Sequence, residues 1–353
     1  MEKAPVINGL NYIAPLGSGG FTDVYQYQQS NPSRQVAVKV LKKEHLNSSK
    51  EADFFAESDL MAKCAQHPNV LNIFGTSIAQ DGRPYIMIEK CSTTYDRYLN
   101  GQTISVQDLL DMAILIASAL EYVNQLGFLH RDIKPSNIMI NDFNRPVLAD
   151  FSVSCNIADV NKKTPSISMG WTAPEVLAKT SNGSIQSDIY SFGMSLYSML
   201  AGQNPFETML FEGINSSKLA RAMDSWKYQP LSRTDIPPNL QLILEQLLKP
   251  VPQNRPKSFL EVASALQQVQ MEMRIPPTRI DLVTNGTSSD FSSDTLQTRI
   301  ARTTVATKTT RTRTTRTAQN SQSMSSSNNS KLLIAVGVMA VVIVLLFIVV
   351  LLK

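Results

Sequence analysis

A run of glycines near the start of the chain has the composition of a phosphate-binding turn. The segment Leu16-Gly17-Ser18-Gly19-Gly20-Phe21 joins two strand-like runs, and clustered glycines let backbone N–H groups approach phosphate oxygens without an intervening Cβ. Lys39 follows on an otherwise apolar strand, where an ammonium group needs an anionic partner. Glu57, on a helix predicted over residues 51 to 65, could pair with Lys39 and aim it at phosphates. Taken singly, these features also fit an ordinary turn, a snorkelling lysine and a solvated glutamate.

Further motifs follow in a fixed order along the chain. They are His130-Arg131-Asp132-Ile133-Lys134-Pro135-Ser136-Asn137, Asp150-Phe151-Ser152, Ala173-Pro174-Glu175, Asp188 and Arg255. Their order and spacing resemble those of eukaryotic-type protein kinases over about residues 9 to 272. Each motif alone is a weak signal, but the joint match is specific.

The resemblance implies phosphoryl transfer from ATP to a protein hydroxyl, a reaction that asks the protein mainly for positioning and charge neutralisation. In the family pattern, Asp132 orients the substrate hydroxyl and accepts its proton, and Lys134 neutralises the γ-phosphate. Lys39, held by Glu57, contacts the α- and β-phosphates. These four positions are the expected catalytic residues.

The resemblance also implies a nucleotide and metal site between two lobes. Asp150 would bind Mg²⁺ and Asn137 a second Mg²⁺ ion. The expected nucleotide contacts come from the glycine-rich loop, the adenine pocket, the lysine and the hinge. They are Leu16, Gly17, Ser18, Gly19, Gly20, Phe21, Val24, Ala37, Lys39, Glu89, Cys91 and Met139.

Local detail favours Ser/Thr over tyrosine specificity. The stretch from Asp132 to Asn137 resembles the Ser/Thr form of the loop, whereas tyrosine kinases usually carry an Ala-Ala-Arg type insert there. Ser168 stands where the family usually has a threonine that contacts Asp132 and Lys134. Glu175 and Arg255 match a family ion pair that holds the substrate-binding segment.

Two residues depart from the family pattern. Thr22 replaces the third glycine of the loop, but the two glycines nearest the phosphates remain. Ser152 replaces the glycine of the metal-binding triplet. Because serine tolerates φ > 0 less well than glycine, we expect this segment to flip into an inactive form less readily. Metal binding belongs to Asp150 and is expected to persist.

Arg131 suggests a form of regulation. In the family, an arginine at this place commonly contacts a phosphorylated side chain of the activation segment, here residues 150 to 175. We therefore expect phosphorylation at Thr164, Ser166 or Ser168 to order that segment through a charge-assisted contact. Ser168 is the weakest candidate, given its matched role. An arginine that serves packing alone is the alternative.

The pattern of the first 272 residues predicts an α+β architecture with two lobes, and the resemblance implies that this is the bilobal protein-kinase fold. A small β-rich lobe with one main helix would cover residues 9 to 90, and a large helical lobe residues 91 to 272. Strand-like runs are predicted at residues 24–29, 35–41, 69–75 and 83–90. Helical periodicity is predicted at residues 106–127, 187–202, 238–249 and 258–273.

Charge is distributed unevenly along the chain. The whole sequence has a net charge of +4, with 43% hydrophobic and 18% charged residues, which excludes wholesale disorder. Residues 1 to 283 hold 25 basic and 27 acidic residues, a net of −2. No nucleic-acid partner is therefore expected. Residues 273 to 331 are predicted to be a disordered, Ser/Thr-rich basic linker, which either contacts anionic lipid or is a solvated spacer.

A transmembrane helix is predicted over residues 332 to 352, where 21 positions carry no charged or polar side chain. At 1.5 Å per residue this gives roughly 30 Å of helix, the hydrocarbon thickness of a bilayer. A buried core helix is the alternative. Basic residues lie mainly before the segment, so we expect a single-pass protein anchored after synthesis, with the kinase domain facing the cytosol.

Two other functions remain open at this point. A catalytically silent scaffold would usually lack the equivalents of Lys39, Asp132 or Asp150, and all three are present. A small-molecule phosphotransferase shares a His-x-Asp loop but would not be expected to carry Ala173-Pro174-Glu175 and Asp188.

Overall fold

The structure is a computed structural model that describes residues 1–162 and 164–281 of the 353-residue chain. The predicted membrane span at 332 to 352 and the predicted linker beyond residue 281 lie outside this part. Among the described residues, no helix is both long enough and apolar enough to cross a membrane.

The first lobe is built on an antiparallel sheet. Its strands are β1 (Leu10–Ser18), β2 (Thr22–Gln29), β3 (Arg34–Leu41), β4 (Ile73–Ile78) and β5 (Pro84–Glu89). They lie in the order β1-β2-β3-β5-β4, so β3 is at the centre. The helix α1 (Ser49–Cys64) follows β3 and is capped by Ser48, whose side chain accepts a hydrogen bond from the Lys50 N–H.

The second lobe is mainly helical. Its helices are α2 (Tyr95–Leu99), α3 (Val106–Gln125), α4 (Pro174–Leu177), α5 (Ile185–Ala201), α6 (Glu207–Phe211), α7 (Ser216–Ser225), α8 (Pro238–Leu247) and α9 (Phe259–Glu272). Short strands lie at its upper edge: β6 (Cys91–Thr94), β7 (Phe128–Leu129), β8 (Ile138–Asn141), β9 (Pro146–Leu148) and β10 (Cys155–Asn156). The expected α+β architecture of a β-rich lobe followed by a helical lobe is confirmed.

The core of the helical lobe forms around α3 and α5, which are buried over most of their surface. α5 has buried side chains on all of its faces, as expected of a helix surrounded by protein, whereas α3 keeps a narrow polar side with Asp108 and Glu121. α3 packs against α9 and α5, and α5 also packs against α8. This rigid base carries the loops that follow β7 and β9.

Gly193 marks the closest approach of α5 and α8. A Cβ at this position would lie 2.6 Å from the Cβ of Leu247, a distance that neither backbone can accommodate without moving. We expect Gly193→Ala to lower the free energy of unfolding by about 1–3 kcal/mol, because overpacking outweighs the gain in helix propensity. Thermal unfolding measures this. If the contact with the Leu247 Cβ is the cause, Gly193→Ala combined with Leu247→Gly, which removes that Cβ, costs less than the sum of the two single changes.

Residues 273 to 281, the start of the predicted disordered linker, belong to the folded domain. The Thr278 hydroxyl donates a hydrogen bond to Asp111 of α3 at 2.5 Å. The carbonyl oxygen of Asp281 accepts from the Ser118 hydroxyl at 2.8 Å and lies 2.9 Å from His67 Nε2. This polar anchoring on α3 is the physical reason that the boundary at 273 is corrected. At the other end, residues 2 to 7 pack on the sheet, so the domain begins before residue 9.

Candidate active site

A cavity of about 550 Å³ lies between the two lobes. All twelve residues predicted to contact nucleotide line it, together with Glu57 and Asp150. Its walls are mainly apolar, with Val24 and Ala37 above and Met139 below. The polar residues Lys39 and Asp150 lie at one end.

Strand alternation explains how these side chains reach one cavity. Successive residues of a strand point to opposite faces of the sheet. Val24 of β2 and Ala37 and Lys39 of β3 share the face towards the second lobe, and β2 and β3 pair with Val24 opposite Lys39. Val36 and Val38 alternate with Ala37 and Lys39 along β3, point to the other face of the sheet and are fully buried there.

Lys39 and Glu57 form the ion pair that the sequence predicts. Lys39 Nζ lies 2.6 Å from Glu57 Oε1 and 3.9 Å from Asp150 Oδ1. Burial disfavours the charged ammonium, but the two carboxylates outweigh burial and raise the pKa of Lys39. Lys39 is therefore a permanent cation at the polar end of the cavity.

Asp150 is held as a carboxylate at the end of the same cavity. Its backbone has a φ of 64°, a conformation that L-residues seldom adopt. Burial favours the neutral acid, but the Lys39 charge and hydrogen bonds from the hydroxyl and N–H of Ser152 outweigh burial and lower the pKa of Asp150. Ser152 itself is not among the residues with positive φ, so the serine fits this position without backbone strain.

Asp132 lies at the centre of a hydrogen-bonded cluster. Its Oδ2 accepts from Lys134 Nζ and from Asn137 Nδ2, both at 2.8 Å. Its Oδ1 accepts from the Ser168 hydroxyl at 2.5 Å. The Ala149 N–H donates to the Asn137 carbonyl at 2.9 Å, which joins this cluster to the loop that carries Asp150.

Comparison with known families decides what this arrangement is. Residues 10–270 match the family model described as the protein kinase domain. The chain belongs to this family.

The kinase domain is similar to curated proteins from distant organisms. These include the serine/threonine-protein kinase PknK of Mycobacterium bovis (29% identity over 269 residues), the tyrosine-protein kinase SRK2 of Spongilla lacustris (30% over 257) and the serine/threonine-protein kinase PknB of Mycobacterium leprae (28% over 271). The alignments cover 74%, 70% and 72% of this chain and 24%, 67% and 42% of those proteins. The chain thus spans about a quarter of the length of PknK. Because kinases of both specificities occur among these relatives, family membership leaves the acceptor residue open.

The kinase cavity fits ATP with magnesium. At Gly17 and Gly20, no atom lies within 4 Å of the place that a Cβ would occupy, so the loop backbone is accessible. Asp150 and Asn137 would supply oxygen ligands, which Mg²⁺ prefers. Over residues 1–162 and 164–281, no group of three or more His, Cys, Asp or Glu could hold a metal ion by itself. An ion held by one or two protein oxygens together with phosphates needs no such group.

Asp188 braces the loop that carries Asp132. It is fully buried on α5 and accepts hydrogen bonds from the backbone N–H groups of His130 at 2.8 Å and Arg131 at 3.0 Å. Burial raises the pKa of Asp188 to about 7, although these two hydrogen bonds oppose the shift. The brace holds Arg131 at a φ of 68°, which turns the loop towards the cavity.

Glu175 and Arg255 form the second ion pair that the sequence predicts. Arg255 donates from Nη1 at 2.8 Å and from Nη2 at 3.0 Å to the two carboxylate oxygens of Glu175. The Arg255 side chain has no exposed surface and lies over the ring of Tyr190. A bidentate pair of this kind fixes direction as well as distance, so it ties α4 to the loop before α9.

The structure places the predicted phosphorylation sites in two different settings. Thr164 and Ser166 are exposed, and Ser166 lines a small crevice together with Arg131. Ser168 is instead bonded to Asp132 and Lys134.

Sequence reasoning overlooked two contributors to this site. Thr172 accepts from the Ser168 N–H at 2.9 Å and so fixes the segment that faces Asp132. Asp23 accepts from the hydroxyl of Ser18 in the glycine-rich loop at 2.5 Å. The sequence signal for Asp23 was the presence of an aspartate on a strand whose alternate residues are apolar or aromatic.

Proposed function

We propose that this chain is a membrane-anchored Ser/Thr protein kinase that transfers the γ-phosphoryl group of ATP to Ser and Thr hydroxyls of proteins. The observation that carries the proposal is the cluster of Lys134, Asn137 and Ser168 around Asp132, joined to a cavity in which Lys39 and Glu57 are already paired. A silent scaffold has no need for this arrangement.

Asp132 is the proposed general base. Lys134, Asn137 and Ser168 fix both of its oxygens, so one of them can be presented to a substrate hydroxyl without reorganisation. The proton of that hydroxyl passes to Asp132 as its oxygen bonds to phosphorus and the bond to the leaving diphosphate breaks. Mg²⁺ at Asp150 and Asn137 would supply charge neutralisation. Lys39 would hold the phosphates, and the mainly apolar walls of the cavity would strengthen each charge interaction.

Ser168 offers a graded test of this cluster. Its hydroxyl donates to Asp132 at 2.5 Å and accepts from Lys134 at 2.9 Å. We expect Ser168→Ala to lower kcat by about tenfold or more, the value of one hydrogen bond to a charged group. Ser168→Thr keeps the hydroxyl and should stay within about threefold of wild type. Steady-state kinetics with a Ser-containing peptide measures both. An equal loss of kcat in Ser168→Ala and Ser168→Thr would contradict the proposed role of the Ser168 hydroxyl.

Ser/Thr specificity is proposed from the loop itself. Lys134 follows Asp132 by two residues and contacts both Asp132 and Ser168, as the Ser/Thr form of the loop implies. Matched peptides that differ only in a Ser, Thr or Tyr acceptor test this, with the Asp150→Asn chain as the control. Label confined to the Tyr peptide would overturn the specificity, and no label on any peptide would favour the scaffold.

Membrane anchoring is proposed from residues 332 to 352, whose 21 side chains are all apolar or glycine. Six basic residues between 284 and 330 favour a cytosolic kinase domain and would add contacts with anionic lipid. Cell fractionation of the full chain beside a chain ending at Ser330 tests the anchor. The full chain should remain in the membrane pellet after alkaline extraction while the shorter chain is released. Release of both would contradict anchoring.

A further inference from the structure

Residues 2 to 7 cover the outer face of the sheet, opposite the nucleotide cavity. The Tyr27 hydroxyl donates to the Pro5 carbonyl at 2.6 Å, and the Gln80 N–H donates to the Val6 carbonyl at 3.2 Å. Ile7 is buried in a cluster with Tyr25 and Tyr27. This N-terminal segment, residues 2 to 7, is therefore part of the first lobe.

Arg83 fastens the segment to the turn before β5. Its side chain is almost completely buried, and its guanidinium donates to Glu2 Oε2 at 2.8 Å and to the Lys3 carbonyl at 2.7 Å. A third bond, from Nε to Asp81 Oδ2, measures 2.9 Å. Because a guanidinium presents its donors in a rigid fork, Arg83 fixes both the position and the direction of residues 2 and 3.

Asp23 continues this network into the glycine-rich loop. It is fully buried, and its Oδ2 accepts from the Glu2 N–H at 2.8 Å and the Tyr25 hydroxyl at 3.2 Å. Its Oδ1 accepts from the Ser18 hydroxyl at 2.5 Å. Ser18 and Asp23 form the last cross-strand pair of β1 and β2, at the base of the loop.

We propose that Asp23 is a positioning residue for the nucleotide site, linking the N-terminal segment to the glycine-rich loop. The inference rests on the proposed function. Asp23 points away from the cavity, while its neighbour Val24 lines it, so Asp23 acts through Ser18 and never contacts the nucleotide. A buried carboxylate is stable only when hydrogen-bond donors surround it. Two donors to Asp23 are the Ser18 hydroxyl and the Glu2 N–H. Asp23 therefore holds the glycine-rich loop and the N-terminal segment in register with each other.

The expected effect is on nucleotide affinity. If the loop is ordered over the cavity for only a fraction of the time, the apparent affinity for nucleotide falls to that fraction of its intrinsic value. We expect Ser18→Ala and Asp23→Ala each to raise the Kd of a fluorescent ADP analogue by about threefold to tenfold, less than a full hydrogen bond to a carboxylate because the loop still closes. At saturating ATP, kcat of the Asp23→Ala chain should stay within about twofold of wild type, because Asp23 does not line the cavity.

A double-mutant cycle separates this role from general destabilisation. If Ser18 and Asp23 act through their shared bond, the double variant binds no more weakly than Asp23→Ala alone. Hydrogen exchange of residues 17 to 22 should be faster in both single variants. Glu2→Ala should raise Kd in the same direction. Lys3→Ala is the matched control, because the exposed Lys3 side chain takes no part in the network and only its carbonyl binds Arg83.

The outcomes are distinguishable when each measurement uses the full chain. Wild-type protein that fails to bind the analogue would contradict the proposed function and this inference together. Wild-type protein that binds it, with Ser18→Ala and Asp23→Ala binding equally well, would overturn this inference alone. Additive losses in the double variant would also overturn it. Ser18 is exposed, so Ser18→Ala tests the link even if Asp23→Ala fails to fold.

Discussion

Replacing Asp132 by asparagine is expected to lower kcat by about 10²- to 10⁴-fold, the usual contribution of a general base. Asparagine has the same shape but cannot accept the proton of the substrate hydroxyl. Because Asp132 does not line the nucleotide cavity, the Kd for an ADP analogue should stay within about twofold. The loss therefore appears in the chemical step and not in nucleotide binding.

Asp235→Asn provides a control for the loss of an aspartate charge. Asp235 pairs with Arg233 at 2.5 Å on the surface of the helical lobe, and exposed pairs of this kind contribute little. Its kcat should match that of the wild type. A fall in kcat of less than tenfold for Asp132→Asn would contradict the assignment of Asp132 as the general base.

Glu175→Ala is expected to cause a large loss of stability. Removing Glu175 leaves the guanidinium of Arg255, which has no exposed surface, without its carboxylate partner. Breaking a buried pair in this way costs about 3–5 kcal/mol. We expect about 3 kcal/mol, because the carbonyls of Lys249, Gln186 and Pro250 still accept hydrogen bonds from Arg255. For a domain of this size the loss corresponds to a fall in Tm of roughly 6–12 °C.

Glu245→Ala is the matched control for this prediction. Glu245 pairs with Lys249 at 2.6 Å, but both side chains are about two-fifths exposed. A surface pair contributes about 0–1 kcal/mol, so Tm should change by about 4 °C or less. Scanning calorimetry on the two full-length variants makes the comparison. Equal shifts in Tm would contradict the view that burial of Arg255 gives the first pair its value.

Much of the site could be predicted because its residues lie in short motifs on regular elements. Strand alternation alone places Ala37 and Lys39 on one face of β3, and both residues line the cavity. The pairing of Lys39 with Glu57 required only a cation on an apolar strand and an acid on the next helix. The role of Ser168 came from family resemblance, because no local pattern places a residue 36 positions away beside Asp132.

Other features could not be predicted because they depend on contacts between distant parts of the chain. Glu2 and Arg83 are 81 residues apart, and Thr278 and Asp111 are 167 residues apart. Neither pair has a periodic or turn signal, so residues 2 to 7 were placed outside the domain and residues 273 to 281 in the linker. The helix α7 was also overlooked, since its sequence is mainly polar and only Leu219, Ala220 and Met223 are buried.

The most direct test of the central claim is transfer of label from γ-labelled ATP to a Ser-containing peptide by the purified full chain. The kinase proposal predicts transfer that requires Mg²⁺ and stops when the metal is chelated, with the Asp132→Asn chain at background. Transfer by the wild type that does not exceed transfer by Asp132→Asn, at any Mg²⁺ concentration, would contradict it.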